Sequence, residues 1–175
     1  MPKGLKATSS PIQISSSVTE SGPNTFSFQE IDLSLNALDN EVFVVTQVNL
    51  DVDAPDLVAG QTTIVQATLS TTSRLNVGNV GSIADQNVLG SAERIIVMAA
   101  ATTADGGIQF DREDPTFTSL SEDYIGIIAT SNAYLNVEGR SNGNAKQVRC
   151  RLFGYRAQAD ASVYAALVQS EVLSA

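Results

Sequence analysis

Residues Lys146 to Leu173 read KQVRCRLFGYRAQADASVYAALVQSEVL, which begins with a strand pattern and ends with a helix pattern. Strict alternation places Val148, Cys150 and Leu152 on one face of the strand. The opposite face carries Arg149, Arg151, Phe153 and Tyr155. The first face predicts contact with a hydrophobic core. The second is cationic and then aromatic, so it predicts contact with a partner.

The second half of this stretch predicts a helix from Ala161 to about Val172. Asp160 is a residue type that caps helix N-termini. Apolar residues recur at helical spacing and form one stripe, namely Val163, Tyr164, Leu167 and Val168. Glu171 lies in the last turn.

Composition favours a single all-β domain. The chain has 175 residues, enough to bury a sizeable core, with 43% hydrophobic and only 17% charged residues. Segments rich in Thr and Val are separated by Gly and Asn, which is typical of strands and turns. With so few charges, hydroxyl and amide side chains must cover much of the surface.

The first 24 residues differ in amino-acid composition from the rest. They are rich in Ser and Thr and contain three prolines, which predicts a flexible N-terminal arm over 1–24 and one domain over 25–175. Ile12 and Ile14 alternate with polar residues. This short pattern could instead add a strand to the sheet edge of a neighbouring molecule.

Seven or eight strands are predicted along the domain, with long loops at 73–91 and 102–123. Thr25 to Leu35 is a strand whose apolar phase slips near Gln29 and Glu30, which predicts a bulge. Glu41 to Val52 is a strand that is buried on both faces near its start. Without any alternation of strands and helices, this layout predicts an antiparallel β-sandwich of the jelly-roll type with a short C-terminal helix.

The net charge of −9 argues against a dedicated nucleic-acid-binding protein, because such proteins carry a basic excess. No apolar run approaches the roughly 20 residues that a membrane-spanning helix needs. Lys3 and Lys6 are not followed by an apolar segment, so we expect no secretory signal.

The sequence offers no catalytic constellation. Histidine is absent, which removes the commonest general base and metal ligand. No glycine-rich phosphate loop is present, and we expect no cofactor. The single cysteine, Cys150, is predicted to be a small buried hydrophobe. We therefore expect a protein that is not an enzyme, with a hydrolase that uses paired carboxylates as an alternative.

Two groups of acidic residues could in principle supply oxygen ligands to a hard cation. The first comprises Asp51, Asp53 and Asp56, and the second comprises Asp111, Glu113, Asp114, Glu122 and Asp123. Neither has the residue pattern of a calcium-binding loop, so no metal site is predicted. Solvated loop carboxylates are favoured; contact with a cation, or with the arginines of a neighbouring subunit, is the alternative.

Three interpretations fit the face that carries Arg149, Arg151, Phe153 and Tyr155. It could be an ordinary half-exposed strand with extended arginines. It could be a subunit interface, where Arg and Tyr are enriched. It could also be a platform for single-stranded nucleic acid, which the overall charge disfavours.

The polar arm, the strands with long loops and the terminal segment LFGYRAQADASVYAALVQSE (152–171) together resemble the small single-jelly-roll coat proteins of icosahedral tailless viruses. This resemblance implies a homo-oligomeric shell subunit of the virion, with copies of itself and other virion proteins as partners. Many such coats have a basic arm; this chain does not, so genome contact is expected to be weak or indirect. A β-sandwich binding module, such as a spike, adhesin or carbohydrate-binding domain, is the alternative.

Overall fold

The computed structural model describes residues 4–98, 107–113 and 124–173. In these ranges the chain forms ten strands, a single 3-10 turn and one α-helix. The strands are β1 (Leu5–Ala7), β2 (Ile12–Thr19), β3 (Ser27–Asp32), β4 (Glu41–Val52), β5 (Thr62–Ser70), β6 (Val88–Val97), β7 (Ile108–Glu113), β8 (Gly126–Ile128), β9 (Asn132–Arg140) and β10 (Gln147–Ala159), and the helix is α1 (Ala161–Leu173).

The strands pair in two antiparallel sheets. In the first sheet β10 lies between β4 and the N-terminal strands, and β8 pairs with the other side of β4. The second sheet has the order β3-β9-β5-β6-β7. The predicted all-β antiparallel sandwich with a short C-terminal helix is confirmed.

The main core lies between the two sheets, where alternate residues of each strand meet. Val148, Cys150 and Leu152 of β10 are buried there, as the alternation predicted. They share the cluster with side chains of β5 and β9 such as Leu69 and Leu135, both fully buried. Burial of apolar side chains between the two sheets is the main stabilising contribution to a sandwich.

The N-terminal residues do not behave as the predicted flexible arm. Residues 12–19 pair antiparallel with residues 147–154 of β10, and residues 5–7 pair with 157–159. Ile12 and Ile14 pack against the main core. The Ser- and Thr-rich composition suggested disorder, but β10 offers an unpaired edge of this same chain. The alternation of Ile12 and Ile14 with polar residues therefore indicates a strand, and this strand pairs with the chain's own sheet instead of a neighbouring molecule's.

Two further details differ from the sequence predictions. The segment 102–123, expected to be a loop, contains β7, and Asp114, Glu122 and Asp123 lie outside the described residues. The register of β3 against β9 is continuous, so there is no bulge at Gln29 and Glu30. The phase slips because Phe28 packs with Tyr134 while Ile31 faces the core on the other side of the sheet.

The helix confirms its predicted start and stripe. It begins at Ala161, directly after Asp160, and Val163, Tyr164, Leu167 and Val168 pack against a second apolar cluster on the outer face of the first sheet. Glu171 is buried, and its carboxylate accepts hydrogen bonds from the backbone N–H groups of Ala129 (2.8 Å) and Thr130 (2.9 Å). These bonds fasten the end of α1 to the β8–β9 connection.

The long connection 71–87 is an ordered loop organised around Arg74, which is buried. Its guanidinium donates to the backbone oxygen and the side chain of Asn79 and to the side chain of Asn87, and it lies 3.4 Å from Asp85. Thr68 of β5 donates to the carbonyl oxygen of Val80, which holds the loop against the second sheet. The hydrogen bonds and the ion pair of one buried guanidinium thus hold this loop in a defined conformation.

Gly154 is the position where β10 tolerates no side chain. A Cβ there would overlap the carbonyl oxygen of Val44 and lie 2.5 Å from the Phe43 ring, beside the register shift between Phe153 and Gly154. We expect Gly154→Ala to lower the free energy of unfolding by about 1–3 kcal/mol, the usual cost of overpacking. Urea unfolding measures this. Gly22→Ala, whose Cβ meets only Thr25 Oγ1 at 3.7 Å, is the control and should change stability little.

Candidate functional site

The predicted cationic and aromatic face lies on the outer side of the first sheet, away from the core. Arg149 and Arg151 are exposed, and Phe153 is half-buried. β10 positions them because it is held on both edges, by β2 on one side and β4 on the other. The structure therefore brings these three residues together on one open surface.

Tyr155 belongs to a different environment. It packs against the second apolar cluster, which is formed by residues such as Val42 and Val44 of β4 and also receives Val163 of α1. The outer face of the first sheet thus has two halves. One half is apolar and carries α1; the other is polar and open. The four predicted interface residues are divided between them.

Arg149 is paired within its own chain. Its Nη1 lies 3.0 Å from Asp53 Oδ1 and 3.5 Å from Asp51 Oδ2. Hydrogen bonding to Asp53 raises the pKa of the guanidinium above its ordinary value, and the charges of both carboxylates add to the effect. Two of the acidic residues considered as cation ligands therefore already have a cationic partner from the same sheet.

Arg151 has no such partner. Within the described ranges no hydrogen bond or ion pair is formed by its side chain, which lies in a shallow groove across β2, β10 and β4. The groove is lined by Ser15 and Ser17 on one side and Asn49 and Asp51 on the other. Hydroxyl, amide and guanidinium groups arranged in this way suit a polar partner surface that carries acceptors.

A network of polar residues closes one end of the sandwich; we call Glu20, Asn24, Asp56, Asn142 and Lys146 the loop-end network. Glu20 is buried, and its carboxylate accepts from the backbone N–H groups of Gly139 (2.6 Å), Lys146 (2.8 Å) and Thr25 (3.0 Å). A single carboxylate thus joins the β2–β3 connection to β9 and to the residue that precedes β10.

Asp56 and Lys146 form the ionic part of the loop-end network. Lys146 Nζ donates to Asp56 Oδ1 (2.6 Å) and to the carbonyl oxygen of Ala54 (2.9 Å), and its side chain is only 8% exposed. The other oxygen of Asp56 accepts from the backbone of Gly143 and Asn144. The hydrogen bond from Lys146 lowers the pKa of Asp56 below its ordinary 3.8.

The residues of the loop-end network hold loops in place. Burial raises the pKa of the Cys150 thiol to about 12, so it is protonated at neutral pH. No group of three or more candidate metal ligands occurs in the part of the chain that the structure describes. In the same ranges, no helix is long and apolar enough to cross a bilayer.

Sequence reasoning missed Glu20, Arg74 and Lys146 as organising residues. Glu20 stands alone among Ser and Thr residues, and nothing in the local pattern indicates burial. Arg74 gave a weak indication, since it is the single cation of a loop rich in Gly and Asn. In each case the partners come from segments that are distant in sequence or from a loop with no periodicity.

Comparison with known proteins gives weak matches. No model of a protein family matches the sequence, and no curated protein matches it. Among solved structures, a chain of Desmodium yellow mottle tymovirus has a TM-score of 0.30 and 10% identity, over 91% of this chain and 93% of that chain. The tailspike protein gp49 of Acinetobacter baumannii bacteriophage Fri1, a capsular polysaccharide depolymerase, has a TM-score of 0.18 and 11% identity, over 73% of this chain and 20% of that chain.

Removing the ammonium group of Lys146 should be costly. Lys146→Met keeps the aliphatic stem but leaves the Asp56 carboxylate half-buried without its cation, and we expect a loss of about 3 kcal/mol in the free energy of unfolding. Chemical denaturation measures the loss. Lys6→Met, at an exposed position of β1, should change stability by less than about 0.5 kcal/mol. Equal effects from the two substitutions would contradict the role given to Lys146.

The low pKa of Asp56 predicts a specific pH dependence. The pKa of Asp56 is lower in the folded protein than in the unfolded chain. The stabilisation by Asp56 is therefore complete above the unfolded-state pKa and is lost as the pH falls through the folded-state pKa. Asp56→Asn should therefore be less stable than the wild type at neutral pH, and the difference should shrink below pH 3.8. Thermal unfolding between pH 2 and 7 measures the difference.

Proposed function

We propose that this protein is a structural coat subunit that self-assembles into the icosahedral shell of a virus. The observation that carries the proposal is the strand order. Leaving aside β1 and β7, the first sheet runs β2-β10-β4-β8 and the second runs β3-β9-β5-β6. Successive strands thus cross repeatedly between the two sheets.

This order supports the jelly-roll type of sandwich. A jelly roll consists of eight antiparallel strands in two sheets, wound as two Greek keys. Here β2 and β10, the first and last strands of the winding, lie side by side, and so do β3 and β9. Capsid domains are among the proteins built on this plan, and the sequence resembles such coats.

The surface composition also supports a shell subunit. The open half of the first sheet carries Ser15, Ser17, Asn49 and Arg151, which can hydrogen-bond to another polar surface. The long 71–87 connection is held rigidly by Arg74, so it presents a defined shape. Rigid loops and polar, weakly charged faces suit repeated, symmetric contacts.

Lectins and cupins use the same fold type, and fold alone does not determine function. A carbohydrate-binding site usually offers an exposed aromatic platform, but the chain has no Trp and four Tyr. Tyr155 and Tyr164 pack against the second apolar cluster instead. Histidine is absent and the Cys150 thiol is buried, so a catalytic function would have to rely on other groups, such as paired carboxylates. The proposed coat function involves no catalysis.

As a coat subunit, the protein would reside in the virion with copies of itself as its principal partners. Its acidic net charge of −9 favours weak or indirect contact with the genome. The N-terminal residues 5–19 are engaged in the first sheet. Other virion proteins would then hold the nucleic acid.

The test of assembly uses the purified chain in negative-stain microscopy and light scattering, at low and high salt. We expect uniform shells or capsomer-sized oligomers. Arg151→Glu should weaken assembly without lowering monomer stability, because Arg151 is exposed and forms no ion pair in the described part of the chain. Arg140→Glu, an exposed arginine at the end of β9, is the matched charge control. A chain that stays monomeric under every condition would favour a binding module instead.

A further inference from the structure

A groove runs along the side of the sandwich where β2 and β3 form the edges of their sheets. Within the described residues β2 pairs only with β10, and β3 pairs only with β9. The groove between them encloses about 430 Å³, within the range of roughly 300–1,000 Å³ that is usual for ligand sites. We call it the β2–β3 groove, and its lining includes Ser17, Thr19, Ser21, Phe26 and Phe28.

Two aromatic rings line the β2–β3 groove. Phe26 and Phe28 are both half-buried, with ring centroids 6.3 Å apart and ring planes inclined by 26°. Tyr134 of β9 packs against Phe28, with centroids 6.2 Å apart, and restricts the orientation of that ring. Tyr155 and Tyr164 pack in the second apolar cluster, so the aromatic surface that they do not offer is formed here by phenylalanines. The face of an aromatic ring attracts weakly positive C–H groups.

The residues of β2 and the connection after it add a row of hydroxyl groups to the groove. Ser17 and Thr19 are exposed and share one face of the strand, and the exposed Ser21 follows two residues later. The side-chain hydroxyls of all three form no hydrogen bond within the described part of the chain. A hydroxyl both donates and accepts, so this row fits a ligand whose own groups do the same.

The shape of the groove is fixed by hydrogen bonds in the β2–β3 connection. The backbone N–H of Ser21 donates to Ser27 Oγ (2.9 Å), and the backbone N–H of Thr25 donates to the buried carboxylate of Glu20 (3.0 Å). The same carboxylate is bound to β9 and to the residue that precedes β10. A site that is already ordered loses less conformational entropy when its ligand binds.

The charge of the groove restricts the class of ligand. None of the described residues that line it is Asp, Glu, Lys or Arg, although the whole chain carries a net charge of −9. Nucleic acids and acidic glycans need cationic side chains beside their anionic groups. A neutral sugar presents C–H groups on the faces of its ring and hydroxyl groups around its rim. These match the aromatic rings and the hydroxyl row of the groove.

We propose that the β2–β3 groove binds a neutral oligosaccharide. A sugar ring packs against Phe26 and Phe28, and the hydroxyl groups of the sugar bond to Thr19 and its neighbours on β2. The inference goes beyond the coat function and does not rest on it, because one chain forms the whole groove. In a shell, the repeated copies of this site attach the particle to a surface that displays neutral glycans.

A glycan array tests the class of ligand. The labelled chain is applied to neutral oligosaccharides built from glucose, galactose or mannose, to sialylated and sulfated oligosaccharides, and to a proline-rich peptide, which is another ligand type of aromatic grooves. We expect the chain to be retained by neutral oligosaccharides alone. Retention by no neutral oligosaccharide, or stronger retention by the acidic glycans or the peptide, overturns the proposal.

Two substitutions then test the groove, with the bound oligosaccharide in isothermal titration calorimetry. Phe26→Ala removes one ring and should raise the dissociation constant about 5- to 10-fold. Thr19→Val removes one hydroxyl at nearly constant volume and should raise it about 3- to 10-fold. Phe110→Ala and Thr62→Val, at exposed positions of β7 and β5, are the matched controls and should leave the affinity unchanged. Ser17 is left intact because it also borders the polar groove of Arg151.

The outcomes separate this site from the coat function. Weaker binding by both groove variants, with unchanged controls, supports the site. Equal affinities in all four variants overturn it, because the sugar then binds elsewhere. Shells that form from a chain that retains no neutral oligosaccharide overturn the site while the coat function stands. A chain that binds the oligosaccharide through the groove and never forms shells supports the site and contradicts the coat function.

Discussion

The backbone of β10 is hydrogen-bonded along both of its edges, and the arrangement of the other elements depends on this double pairing. On one side it pairs with β4 over residues 148–158; on the other it pairs with β2 and β1. The N-terminal strands and β4 are therefore joined through one strand. The Phe43 ring fills the space beside Gly154, so the strand can follow its neighbour closely at the register shift.

Four buried charged residues hold connections of the chain in place. Glu20, Arg74, Lys146 and Glu171 are all buried, and each binds backbone or side-chain groups of a loop. A buried charge is tolerated only when it is paired or fully hydrogen-bonded, so each of them defines one loop geometry. Loops without a hydrophobic core are fixed in one geometry by this means.

The outer faces of the two sheets differ in character. On the first sheet α1 covers the apolar half, and the other half is a polar groove with Arg151. On the second sheet the 71–87 connection covers the centre, and the β6–β7 edge carries an apolar patch.

The sequence alone determined the fold class, the strand Glu41–Val52, the alternation of β10 and the helix with its stripe, because these depend on local periodicity. It also placed Arg149 and Arg151 on one face. Only the tertiary structure decided that residues 5–7 and 12–19 are strands, that Tyr155 lies in the second apolar cluster, and that Asp53 and Asp56 pair with Arg149 and Lys146. These features join residues 90 or more positions apart, and no local pattern indicates which distant strand edge or charge a segment will meet.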